Sequence, residues 1–339
     1  MFLAVDLFSG IGGLTLGLKE AGFKVCASIE IDKNAVKGYK LNHPEIIVFE
    51  DDIRNVDSAE IKTLLNGQQL HLLAGCPPCQ GFSSLRRLNR KQNVRDERNN
   101  LVRQYLRFVK ELMPLTIMME NVPGILNYYI FKDVVKEFKN LGYNIAIEIL
   151  DAKDFGVPQR RRRMVLLGSL IGKIQIEKPN LPRFTVRDAI ASLPKVEKTN
   201  DIFHKIFPDH IPRIKEMIRL IPNDGGSRSE LPDNFILKCH KKENVGFDDV
   251  YGRLKWDDYS STITGGCLNP SKGRFLHPVE DRCISAREAS LLQSFPLDYK
   301  FPKDISKASL ALLIGNALPP KFCFYHSGNI QNHLLHYLD

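Results

Sequence analysis

The stretch Pro77-Pro78-Cys79-Gln80-Gly81-Phe82-Ser83 sets a cysteine between a proline pair and a glutamine, where a thiol can act as an exposed nucleophile. Cys76 gives the same stretch Cys-x-x-Cys spacing, so zinc and dithiol redox chemistry also have to be weighed. Zinc needs about four ligands. No second Cys-x-x-Cys or Cys-x-x-His follows at useful spacing, and His71 sits in strand-like sequence, so no metal is expected. Two prolines between the thiols, with Gln-Gly after them, do not resemble the common redox signature.

Other residues could work beside that thiol. Glu120-Asn121-Val122-Pro123 leaves an apolar strand, and a carboxyl group in such a place is suited to general acid work. Gln159-Arg160-Arg161-Arg162-Arg163 enters another strand. Alternation puts Gln159, Arg161 and Arg163 on one face, where two arginines can present fixed donors to a carbonyl oxygen or a phosphate. Asp6-Leu7-Phe8-Ser9-Gly10-Ile11-Gly12-Gly13 follows an apolar strand and opens a helix, and Glu30 ends the next strand at the distance that suits a ribose-binding acid. The Gly-x-Gly-Gly spacing departs from the dinucleotide fingerprint and favours a nucleoside cofactor without a pyrophosphate. Asp51-Asp52-Ile53 follows the third strand at the same sheet edge, where a carboxylate could meet an adenine amino group.

These residues need a scaffold, and the hydrophobic pattern supplies one. Apolar runs at 3–8, 24–30, 46–49, 70–74, 115–119, 145–150 and 164–168 read as strands. Helical periodicity lies at 14–21, 102–112 and 131–141. Strand, glycine turn, helix, strand is the opening of a doubly wound parallel α/β sheet. After Lys178 prolines recur, and Asp224-Gly225-Gly226-Ser227 is a turn cluster, so a second, less regular domain is expected there. Helical periodicity returns at 285–293 and 306–314, before Gly315-Asn316-Ala317-Leu318-Pro319-Pro320.

The chain has 339 residues, 43 % hydrophobic, ample for a large core. Lys and Arg exceed Asp and Glu by 48 to 39, a formal charge of +9 that modestly favours an anionic partner. Seven cysteines are an odd number without a paired framework. With no signal-like start and no run long enough to span a bilayer, the chain reads as cytosolic, with a free catalytic thiol chemically reasonable.

Taken in order, these motifs resemble the cytosine-C5 methyltransferases of bacterial restriction-modification systems, over nearly the whole chain. Asp6 to Gly13 is similar to the family's cofactor loop, Pro78-Cys79-Gln80 to its nucleophile motif, Glu120-Asn121-Val122 to its acid motif and Gln159 to Arg163 to its paired-arginine motif. Arg287-Glu288-Ala289 with Gln293-Ser294-Phe295-Pro296 resembles its packing motif, and residues 315–320 its closing motif. Two residues depart from the pattern: Cys76 stands where glycine or another small residue is usual, and Leu318 where many members have valine.

The resemblance implies a Rossmann-like catalytic domain over residues 1–178 and 304–339, and a smaller target-recognition domain with its hinge over 179–303. It implies S-adenosylmethionine as cofactor, held by Phe8, Ser9, Gly10, Gly12, Gly13, Glu30, Ile31, Asp52, Ile53, Pro78, Asn316 and Ala317, with S-adenosylhomocysteine as product. Cys79 would add to C6 of cytosine, Glu120 would act at N3 and the exocyclic amine, and Arg163 would hold O2 with Arg161 supporting the pocket. The base must leave the duplex to be reached. Gln80, Ser83, Arg86, Arg87, Arg90, Arg98 and Thr264 are the DNA-contact candidates, the segment 83–98 being a basic loop expected to close over the nucleotide.

The expected partners are double-stranded DNA and, functionally, a cognate endonuclease, with a monomer as the default and no membrane. Two alternatives stay open: a transfer-RNA methyltransferase, though that branch's Cys-Phe-Thr signature is absent, and a silent nucleic-acid binder, which would need no thiol at residue 79. Replacing Arg86, Arg87 and Arg90 together by alanine is expected to weaken DNA binding and flatten its salt dependence. A titration of affinity against salt checks this, and an unchanged slope would remove the loop from the interface.

Overall fold

The computed structural model describes residues 1–78, 100–236 and 249–338. The sheet of the described residues is built from β1 (Leu3–Leu7), β2 (Lys24–Ile29), β3 (Ile47–Phe49), β4 (Leu72–Gly75), β5 (Thr116–Asn121), β6 (Asn144–Asp151) and β7 (Arg162–Ser169), in the order β3-β2-β1-β4-β5-β7-β6. β1 to β5 pair in parallel, as the opening of the sequence foretells. β7 inserts beside β5 and runs antiparallel to both β5 and β6. Between β6 and β7 the chain has only the short 3₁₀ turn Ala152–Phe155 and a few further residues, with no helix to carry a crossover, so the two strands can only form an antiparallel pair.

Alternation gives the sheet two chemically distinct faces. Val5, Leu7, Ile29, Leu73, Ile117, Met119, Met164 and Leu166 point into one core cluster. That cluster is closed by the helices Ser58–Leu65, Leu101–Leu112 and Tyr129–Asn140. In the second of these, Val102, Tyr105, Phe108, Val109 and Leu112 recur at helical spacing and all are buried. The Tyr105 hydroxyl bridges the Leu73 and Met118 carbonyls (2.8 and 3.0 Å). Asp6 and Glu120 belong to the opposite face, because each lies one residue out of step with the apolar set.

The contacts divide the chain into two compact units. The first comprises Met1–Phe155, Arg162–Asn180 and Leu318–Asp339; the second comprises Gly156–Arg161 and Leu181–Ala317. Residues 304–317 thus lie in the second unit, with the helix Lys307–Asn316. That unit has little regular structure and relies on buried side-chain donors. The fully buried Arg253 gives hydrogen bonds to the carbonyls of Ile218, Ile221, His277 and Glu280 and to the Asp281 carboxylate, between 2.6 and 3.1 Å. Arg282 forks onto Glu288 (2.8 and 2.7 Å), and Glu288 with Ser285 caps the helix Ala286–Leu292. No helix among the described residues is long and apolar enough to cross a membrane.

In the first unit the helix Gly13–Glu20 lies against the helix Pro320–Leu338, and Cys323 Sγ donates to the Leu14 carbonyl at 3.2 Å. Gly17 lets the backbones approach: a Cβ there would stand 2.6 Å from both Cys323 Cβ and the Pro320 carbonyl oxygen. Gly17→Ala is therefore expected to destabilise the protein by about 1–3 kcal/mol. Chemical denaturation of the two proteins measures it, and an unchanged midpoint would mean that the helices part without cost.

Candidate functional site

The carboxyl ends of β1 and β2 build the first part of the site. Phe8 leaves β1 at φ 62, a left-handed conformation that costs a non-glycine residue about 1–2 kcal/mol. Gly10 and Gly12 follow at φ 56 and 91, values that glycine adopts without that cost, and Gly12 caps the helix that Gly13 begins. Glu30 holds this loop from the neighbouring strand: its Oε2 accepts from Gly10 N and its Oε1 from Asp32 N, both at 2.8 Å. Burial pushes the Glu30 carboxyl above its ordinary value, and those N–H groups oppose the shift. Ile31 is exposed beside it. Asp52 is gripped by Arg54 (2.6 and 3.0 Å), which holds its carboxyl below the usual range. Ile53, by contrast, buries its side chain in the core cluster, and its carbonyl accepts from Arg107 at 2.6 Å.

Behind the loop lies a polar group that the motifs did not announce. Thr15 Oγ1 donates to Asp6 Oδ2 at 2.6 Å and meets the Tyr39 hydroxyl at 2.8 Å, all three side chains being buried. The ring of His43 packs on Tyr39, and its Nε2 lies 3.3 Å from the Gly12 carbonyl. Burial drives Asp6 up to about 8 and His43 down to about 4. The available signal was an aspartate inside the otherwise apolar strand Leu3–Leu7, since a buried polar residue needs a partner.

The second part of the site stands where β4 and β5 end. Glu120 is 7 % exposed, and Arg163 Nε of β7 lies 2.8 Å from its Oε1. The N–H is not directed along that line, so Oε1 keeps room for another donor. Asn121 Nδ2 donates to the Pro77 carbonyl at 2.8 Å, tying the end of β5 to the proline pair in which Pro78 also sits. Cys79, Gln80, Ser83, Arg86, Arg87, Arg90 and Arg98 lie outside the described residues.

The remaining motif residues meet inside the second unit. Gln159 and Arg161 are buried, whereas Arg160 and Arg162 are exposed. Arg161 donates to the carbonyls of Ile263 (2.9 Å), Gly315 and Ala317 (both 3.2 Å). Gln159 donates to Gln293 Oε1 (2.8 Å), and Gln293 in turn donates to the Ile314 carbonyl (2.7 Å). The paired-arginine, packing and closing motifs thus share one hydrogen-bonded hub, and Gln293, which the packing motif names without a role, joins the three. Asn316 is exposed at the end of its helix and Ala317 is buried. Thr264 is half-buried, its Oγ1 accepting from Gly266 N at 3.3 Å. No cluster arranged to hold a metal ion occurs among the described residues.

Comparison with known proteins gives this geometry a context. The sequence profile described as C-5 cytosine-specific DNA methylase matches residues 2–332. The chain is 35 % identical to the type II methylase M.HgiDII of Herpetosiphon aurantiacus, over 93 % of this chain and 91 % of that protein. It is 31 % identical to the type II methyltransferase M1.HphI of Haemophilus parahaemolyticus, over 93 % and 83 %. Among solved structures, a DNA modification methyltransferase encoded within an Escherichia coli prophage superposes with a TM-score of 0.71 at 26 % identity, over 99 % of this chain and 100 % of that one. The Entamoeba histolytica methyltransferase EhMeth shares the fold, with a TM-score of 0.68 at 16 % identity over 98 % and 99 %.

The buried carboxyl behind the loop makes a stability signature. Asp6 is raised from 3.8 to about 8 on folding, so the folded chain keeps a proton there that the unfolded chain releases. Its contribution to stability is complete below about pH 4 and is lost as pH rises through about 8. Asp6→Asn removes this dependence while keeping a donor and an acceptor. The melting temperature of the wild type minus that of Asp6→Asn is expected to fall steadily from about pH 4 to about pH 8; a difference that stays level across thermal melts would contradict it.

Proposed function

The chain belongs to the C-5 cytosine-specific DNA methylase family, and on that premise we propose that it works through a covalent cysteine adduct on a base flipped out of double-stranded DNA. The observation that carries this reading is Glu120, buried at the end of β5 with Arg163 2.8 Å away and Asn121 fastened to the Pro77 carbonyl, two residues before Cys79.

C5 of cytosine is a poor nucleophile, so an electron-rich group must first add at C6. Cys79 is the group assigned to that addition. Glu120 protonates or hydrogen-bonds N3 as charge grows there, and Arg163 answers the carboxylate through Nε, gives Nη1 to the Arg162 carbonyl and offers Nη2 toward O2. Arg161 is a positioning residue, because its guanidinium is spent on three main-chain carbonyls. Loss of the C5 proton and expulsion of the Cys79 thiolate restore the enzyme.

The residues fit S-adenosylmethionine. The space beside Gly10 is open, the Ser9 hydroxyl is buried without a partner, and Glu30 presents its carboxylate at the end of β2. Ser9, Gly10, Gly12 and Gly13 would hold the amino-acid end, Glu30 and Ile31 the ribose, and Asp52 with the Ile53 main chain the adenine, beside Phe8 and Pro78. When bound, the cofactor supplies the methyl group as an activated sulfonium. The type II relatives support a biological setting in which methylation guards DNA against a cognate endonuclease, with target recognition assigned to the second unit.

Expression in methylation-deficient cells, followed by bisulfite sequencing, is expected to reveal protected cytosines within one short motif. Cys79→Ala should abolish the protection without loss of soluble protein. Protection that survives Cys79→Ala would remove the covalent adduct. Unprotected DNA alongside methylated transfer RNA would move the substrate to the family's RNA branch.

A further inference from the structure

Cys76 occupies a place that the chemistry above does not use. Parallel pairing sets Gly75 opposite Met119 and Gly75 opposite Leu7, so the next residue, Cys76, stands across from Glu120 on one side. Its main chain continues the ladder, Cys76 N donating to the Leu7 carbonyl at 3.4 Å. Residues paired across neighbouring strands share a face, with the strands about 4.7–4.9 Å apart. The thiol is half-buried one step beyond that pairing, beside the Glu120 carboxylate whose charge acts on it.

The strand order β1-β4-β5-β7 completes the picture. Asp6 of β1, Cys76 after β4, Glu120 of β5 and Arg163 of β7 all lie on one face near its carboxyl edge. Arg163 flanks Glu120 on one side and Cys76 on the other. Arg163 does not direct a hydrogen bond at Oε1, so an ion pair alone leaves the carboxylate free to rotate about its last torsion. A neutral donor on the opposite flank removes that freedom without adding charge. Burial, and then the Glu120 charge, push the Cys76 thiol well above its ordinary value, so it stays protonated and keeps its S–H as a donor.

We propose that Cys76 is a positioning residue for the reaction, its S–H fixing the Glu120 carboxyl in the orientation from which it meets the cytosine ring. The proposal rests on the reading of Glu120 as the acid. It also gives a role to the one motif position where this chain departs toward a residue with a donor, since glycine there would leave Glu120 held on a single side.

The test compares Cys76→Ser, which keeps a donor, with Cys76→Ala and Cys76→Gly, which do not. Methyl transfer from radiolabelled S-adenosylmethionine to unmethylated genomic DNA gives kcat and both KM values, and thermal melting is followed in parallel. Alanine and glycine are expected to lower kcat by about tenfold or more, with KM values close to wild type, as misorientation of a catalytic group does. Serine is expected to recover most of that loss. Equal losses in serine and alanine, a loss confined to KM or to melting, or wild-type kcat in alanine would each overturn the proposal. Glu120→Gln run alongside separates the two levels: if it keeps wild-type kcat, the acid reading itself fails. If it is inactive while Cys76→Ala is not, only the role of the thiol fails.

Discussion

A carboxylate taken out of water must be answered by a donor or a cation, and the architecture around Glu120 follows from that requirement. Glu120 ends a strand whose other face is committed to the apolar core, so the answer has to come from a neighbouring strand on its own face. β7 provides it: Arg163 stands 2.8 Å away because β7 lies directly beside β5. An all-parallel order with β6 in that place would set Asn144 to Asp151 against β5, a strand with no cationic side chain. The antiparallel insertion of β7 is therefore the topological means by which a buried acid acquires its counter-charge.

The second unit solves a related difficulty by other means. Buried carbonyls in irregular chain have no ladder to satisfy them, and each left alone would cost about 1–3 kcal/mol. Arg253, Arg161 and Gln293 supply the missing donors, each serving several carbonyls at once. Branched, planar donors suit that task, because one guanidinium or amide reaches carbonyls that belong to distant segments. The motifs resembling the family's paired arginines, packing segment and closing turn meet at such a hub, which gives a physical reason for glutamine and arginine at those places.

Much of the scaffold was legible before the structure. Leu3–Leu7, Lys24–Ile29 and Thr116–Asn121 are short, each carries a compact apolar run, and such segments announce themselves. Strand direction was not legible, since a period of two carries no polarity, and β7 was the strand affected. The helix Pro320–Leu338 was not read because histidines and asparagines dilute its apolar stripe; two of them, His326 and Asn329, are nevertheless buried. In the site, Glu120 and Arg163 were each visible as residue types, yet their pairing depends on a register between strands that sequence spacing does not encode. Cys76 was visible as half of a Cys-x-x-Cys pair and as a departure from the motif, but what it faces is decided by β5.

The packing of the first helix on the last has a bearing on how the chain is made. The surface around Gly17 is synthesised roughly 310 residues ahead of the segment that covers it, Pro320 to Ser327. On the ribosome the nascent sheet must hold that surface open while the whole second unit is translated. Contacts this distant in sequence are slow to form, and they leave apolar surface exposed in the interval. Vectorial synthesis thus sets a waiting time before the fold can close, and chaperones that recognise uncovered helix surfaces are the agents suited to shelter it.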